Sequence, residues 1–100
     1  MSELSMQALA ENASDAERFL KELANANRLM ILCTLLDQEM SVAELNLKVP
    51  LSQSALSQHL ARLREAGFVE NRKESQTVYY RLADERVARL LPQFYDMFCA

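Results

Sequence analysis

Apolar positions recur with helical spacing over the first quarter of the chain. From about Glu3 to Ala24 they fall at Leu9, Ala13, Ala16, Leu20 and Leu23, one stripe of an amphipathic helix. Asn25 caps a second helix that reaches about Asp37 and carries Leu29, Met30, Ile31, Leu32, Cys33, Leu35 and Leu36. It is apolar on nearly every side, which predicts a central core helix. Ser41-Val42-Ala43-Glu44 has the form of a capping box and opens a short third helix that ends before Pro50. Ser52 caps a fourth helix, and Gly67 supplies the left-handed residue that closes it. The period then changes from helical to alternating. Phe68 to Lys73 and Thr77 to Leu82 have strand composition, with Val78, Tyr80 and Leu82 set against Thr77, Tyr79 and Arg81, and pair as a hairpin around Glu74-Ser75-Gln76. Asp84 caps a last helix with a stripe of Val87, Leu91, Phe94 and Phe98, flanked by Leu90 and Tyr95. Pro92 inside it predicts a kink, or a restart with Pro92 in a first turn.

The order α-α-α-α-β-β-α, mainly α with a β-hairpin wing, is the layout of a winged helix-turn-helix that reads DNA. On a helical wheel the fourth helix has Leu56, His59, Leu60, Leu63 and Ala66 on one side and Gln53, Ser54, Ser57, Gln58, Ala61, Arg62 and Glu65 on the other. Short hydroxyls and two amides suit a major groove, where a glutamine can pair with an adenine edge. Arg62 and Arg64 suit phosphate contacts that fix register. In the wing, Arg72 and Lys73 are placed to reach the adjacent minor groove or backbone, assisted by Gln76 at the turn. His59, the one histidine, lies beside the buried stripe and is expected to be packed and hydrogen-bonded, not a metal ligand or a catalyst.

One hundred residues, half of them apolar, make one module over 1–100, and a single glycine and two prolines leave no linker. A domain this small covers its apolar surface incompletely, so a homodimer through the first and last helices is expected. The net charge of −3 argues against nucleic acid, but its distribution does not. Residues 1–47 hold eight acids and three bases, whereas 48–81 hold six bases and three acids, so the acidic half is expected to face away from DNA. No signal-like N-terminus or bilayer-length apolar run is seen, which points to the cytoplasm and to no membrane partner. Thiols there are mostly reduced, so Cys33 and Cys99 are inert or redox-responsive rather than a permanent bridge. The two are far apart in sequence, without the Cys-x-x-Cys of a thiol-disulfide enzyme, and no other catalytic centre or cofactor motif is present. A winged-helix interaction module without DNA binding is the remaining rival. The polar face and basic wing argue against it.

Ser41-Val42-Ala43-Glu44-Leu45, Leu51-Ser52-Gln53-Ser54-Ala55-Leu56-Ser57-Gln58-His59-Leu60, Leu63-Arg64-Glu65-Ala66-Gly67-Phe68-Val69 and Val78-Tyr79-Tyr80-Arg81-Leu82 resemble the ArsR/SmtB family of bacterial repressors, as does Asn25 to Leu32. The resemblance implies a dimeric winged-helix regulator on pseudo-palindromic double-stranded operator DNA, controlled by an inducer. Metal-sensing members use a Cys-x-Cys pair at the start of helix three or Asp/His/Glu ligands on the last helices. The matching positions here are Ser41 and Ala43, and the last helix has Asp84, Glu85 and Asp96 without a histidine, so neither metal site is expected. Cys33 and Cys99, with Arg72 to Tyr80, resemble the HlyU/BigR/SqrR branch, which implies a dithiol sensor of oxidants or reactive sulfur species. The residues themselves leave another inducer open, with Cys33 a small buried hydrophobe beside Leu29, Leu32 and Leu36 and Cys99 at a fraying end.

Overall fold

A side-chain cap opens each helix of the computed structural model, which describes residues 4–99. The Ser5 hydroxyl accepts from Ala8 N at 3.1 Å to start α1 (Met6–Leu23), and Asn25 Oδ1 accepts from Arg28 N at 3.0 Å to start α2 (Ala26–Thr34). In α3 (Val42–Lys48) the capping box is reciprocal: Glu44 N donates to Ser41 Oγ at 3.1 Å and Ser41 N donates to Glu44 Oε1 at 2.9 Å. Ala55 N donates to Ser52 Oγ at 3.2 Å in α4 (Gln53–Glu65), and Arg86 N to Asp84 Oδ1 at 2.8 Å in α5 (Glu85–Cys99). Each such cap satisfies an amide that the helix itself leaves unpaired.

Four features differ from the sequence-based expectations. Helix α2 stops at Thr34 instead of Asp37, because Leu35 N divides between Ile31 O and Leu32 O and Leu36 N turns to Cys33 O. The apolar run continues to Leu36 while the backbone tightens into a turn. A short strand, β1 (Met40–Ser41), precedes α3 and pairs antiparallel with the second hairpin strand, Met40 opposite Tyr80 and Ser41 opposite Tyr79. The sheet is therefore three-stranded, in the order β1-β3-β2, with β2 (Val69–Glu74) and β3 (Thr77–Leu82) forming the wing. Glu74 pairs with Thr77, so the turn is Ser75-Gln76 alone, with Ser75 at φ 56°. Finally, of the two outcomes expected for Pro92 the restart is excluded: α5 is one helix from Glu85 to Cys99, with Pro92 on its exposed side next to buried Leu91.

The core joins Ile31 and Leu32 of α2, Leu45 of α3, Leu56, Leu60 and Leu63 of α4, Phe68 before β2, and Val87 and Leu91 of α5. Burying a side chain of this size contributes about 1.5–3 kcal/mol, so the inner face of α4 is fixed firmly. Contrary to the expectation of a helix apolar and buried on nearly every side, α2 turns only part of its circumference inward, and Met30 and Cys33 are exposed. The α1 stripe enters the core only at Leu23; Leu9 and Leu20 remain about half exposed at 50% and 53%. His59 is half-buried as expected, but its ring makes no hydrogen bond among the described residues. None of the described helices is long and apolar enough to cross a membrane.

Candidate nucleic-acid interface and thiol pair

The α3–α4 corner is set by a residue that the helical patterns did not single out. Asn46 Nδ2 donates to Leu51 O at 2.9 Å and to Val49 O at 3.3 Å, tying the connecting turn to α3. With Leu56, Leu60 and Leu63 turned inward, α4 presents Gln53, Ser54, Ser57, Gln58, Ala61 and Arg64 to solvent. These side chains form a polar helical surface at the N-terminal and outer sides of α4. In the wing, Lys73 and Gln76 are exposed, and no carboxylate of the described residues lies within ion-pair distance of Lys73.

Two of the expected phosphate-contacting arginines are engaged inside the chain. Arg62 donates Nε to Glu22 Oε1 at 2.7 Å and Nη2 to Glu22 Oε2 at 3.2 Å, a bidentate pair between α4 and the last turn of α1. Arg72 donates Nε and Nη2 to the two carboxylate oxygens of Glu39 at 2.9 and 2.7 Å, donates Nη1 to Glu74 at 2.6 Å, and lies over the Tyr79 ring at 4.6 Å. The Arg72 hydrogen bond holds the Glu39 carboxyl below its usual range, and those to Glu39 and then Glu74 push the Arg72 guanidinium further up. The acidic half of the chain thus does not face wholly away from the reading surface: Glu22 and Glu39 cover two of its arginines. Sequence reasoning missed both pairs because the partners stand 40 and 33 residues apart, beyond any local periodicity.

Cys33 on α2 and Cys99 at the end of α5 are both free thiols, and both are exposed. Cys33 is therefore not the small buried hydrophobe of the alternative reading. Partial burial, followed by the charge of Cys99, pushes the Cys33 thiol above its ordinary value.

A capped helix with a polar outer face, beside a three-stranded sheet that carries a hairpin wing, defines the winged helix-turn-helix class of DNA-binding proteins. Residues 25–71 match the profile of bacterial regulatory proteins of the arsR family. Transcriptional activator HlyU of Vibrio cholerae is 47% identical over 96 residues, spanning 96% of this chain and 89% of that protein. Its reduced structure superposes with a TM-score of 0.88, covering 95% of this chain and 100% of that one. The transcriptional repressor BigR of Xylella fastidiosa gives 0.91 at 37% identity, over 97% of this chain and 99% of that one. The homodimeric winged helix-turn-helix DNA-binding domain of Mycobacterium bovis gives 0.76 at 33% identity, over 97% and 89%. This chain belongs to the arsR family: it is a DNA-binding transcriptional regulator and not an enzyme.

Proposed function

We propose that this regulator is a homodimer that grips a pseudo-palindromic operator with α4 and the wing, and that Cys33 and Cys99 switch it off. Gln53, Ser54, Ser57 and Gln58 read base edges, while Arg64 and Lys73, with Gln76 beside the turn, hold the backbone. Arg62 and Arg72 belong to the same surface through their ion pairs. The two helices left with uncovered apolar side chains, α1 with Leu9 and Leu20 and α5 with Tyr95 and Phe98, form the dimer face. The homodimeric relative with the same fold supports that arrangement.

The observation that carries the switch is the pair of exposed free thiols on α2 and α5, both outside the core. An organic persulfide, RSSH, supplies the chemistry. The Cys99 thiolate attacks its outer sulfur, leaving Cys99 as a persulfide and releasing RS⁻; the Cys33 thiolate then attacks the Cys99 sulfur, forming the disulfide and expelling HS⁻. A second equivalent of RSSH gives a trisulfide bridge instead: it converts Cys33 to its persulfide with release of RS⁻, and the terminal sulfur of that persulfide attacks Cys99 Sγ and expels HS⁻. The raised value of Cys33 disfavours it as the first nucleophile and leaves it the second, resolving step. The bridge ties α5 to α2 and moves the two α4 helices out of their half-site spacing. In the test, an operator selected from a random duplex pool is titrated with wild type, Cys33→Ser and Cys99→Ser, each reduced and persulfide-treated. Wild type should lose affinity on treatment and both variants should keep it; equal loss in all three refutes the switch and leaves the DNA reader with another inducer. Failure of reduced wild type to bind any duplex would instead favour the interaction module.

A further inference from the structure

Glu22 lies in the last turn of α1 and is held from two directions. Its carboxylate, only 19% exposed, takes both prongs of the Arg62 fork from α4. Its backbone carbonyl accepts from Arg28 Nε at 2.7 Å, and the neighbouring Lys21 carbonyl accepts from Arg28 Nη2 at 3.0 Å. Arg28, 5% exposed, is the one buried charge among the described residues. It satisfies the Glu22 carbonyl, shares the Lys21 carbonyl with Ala24 N, and places a cation at the negative end of α1. Glu22 thus stands between two cations, and the field of Arg62, after burial itself, lowers the Arg28 value. Three helices meet at this junction: α1, with its uncovered apolar stripe, α2, which carries Cys33, and α4, the candidate reader.

A bidentate fork closed on a sheltered carboxylate is a weaker phosphate arm than an unpaired arginine, because Glu22 offsets much of its charge and leaves only Nη1 and one Nη2 proton to donate. We propose that Glu22 is a positioning residue for DNA recognition: through Arg62 it fixes the roll of α4 on α1, and Arg62 acts through Glu22 instead of on a phosphate. This rests on the reading of α4 as the groove-entering helix. It gives the dimer helix a direct mechanical hold on the reader.

A charge swap separates the two roles of Arg62. Operator and random duplexes are titrated by fluorescence anisotropy across a salt series with wild type, Glu22→Gln, Arg62→Gln and the swap Glu22→Arg with Arg62→Glu, circular dichroism melts first checking that each is folded. Positioning predicts that each single variant weakens operator binding about two- to fivefold, the scale of an ion pair of this exposure. The swap binds more tightly than either single variant, short of wild type because the new cation at position 22 faces Arg28, and the salt slope of Arg62→Gln stays that of wild type. A phosphate-binding Arg62 predicts a swap no better than Arg62→Gln and a slope flatter by about 0.9 for each phosphate no longer neutralised. Either of those results overturns the positioning role, and if the swap does not fold the Arg62→Gln slope decides alone. If wild type binds no duplex, the DNA reading falls and this role with it; if wild type binds and the swap is no better than Arg62→Gln, this role alone falls.

Discussion

Gly67 ends α4 at φ +80°, and a Cβ there would meet nothing within 4 Å. The cost of Gly67→Ala is then backbone strain alone, about 1–2 kcal/mol, and urea denaturation should find the variant less stable by that amount. An unchanged midpoint would show that the corner relaxes. Cys33 gives a kinetic counterpart. Burial and then Cys99 hold its thiol above the ordinary value, so the proposed bridge should close faster as pH rises through and beyond about 8.5. A closure rate independent of pH between about 7 and 10 would remove Cys33 from the resolving step. Residues whose role is local were legible in the sequence: Ser52, Gly67 and the Ser41-Glu44 box act within a few positions of themselves. Arg62, Arg72 and Arg28 were legible as bases, but their partners on other elements were not, since no local pattern encodes an ion pair closed by tertiary folding.

At the level of elements, α5 shows how a cap couples to pH. Asp84 Oδ1 accepts from Arg86 N and Val87 N, and its hydrogen bond from the Arg86 side chain, the largest influence, holds its carboxyl below the ordinary range. A folded-state value below the unfolded one adds stability that is present above about pH 3.9 and is lost as pH falls through the folded value. Asp84→Asn should therefore be less stable than wild type near neutrality, with the two denaturation midpoints converging in acid; a constant gap would contradict this assignment. The five helices and the hairpin were readable because each carries a cap or a change of period. The two-residue strand β1 was not, because it is too short to alternate and its partner, β3, lies almost 40 residues downstream. The end of α2 was misread for the opposite reason: Leu35 and Leu36 extend the apolar run past the last helical turn, and packing rather than backbone keeps them inside.

For the whole molecule, the radius of gyration is 15.2 Å, above the ~13 Å of a typical 100-residue globule, with extents of 49 × 30 × 21 Å. This elongation accompanies helices whose apolar sides are not covered by their own chain. Phe98, 80% exposed near the end of α5, is a direct probe of the proposed partner. Phe98→Glu should shift sedimentation towards the monomer and lower operator affinity by at least about tenfold, because one subunit engages only one half-site; a stable dimer would move the interface elsewhere. The winged-helix class was legible from element order alone, whereas charge read by segment misled, because folding brings Glu22 and Glu39 onto the basic half. The most direct measurement is the affinity of one wild-type sample for its selected operator when reduced, after persulfide treatment, and after re-reduction. The thiol-switched reader predicts tight binding, a loss of about 5–150-fold, and full recovery. Equal affinity in all three states would contradict it.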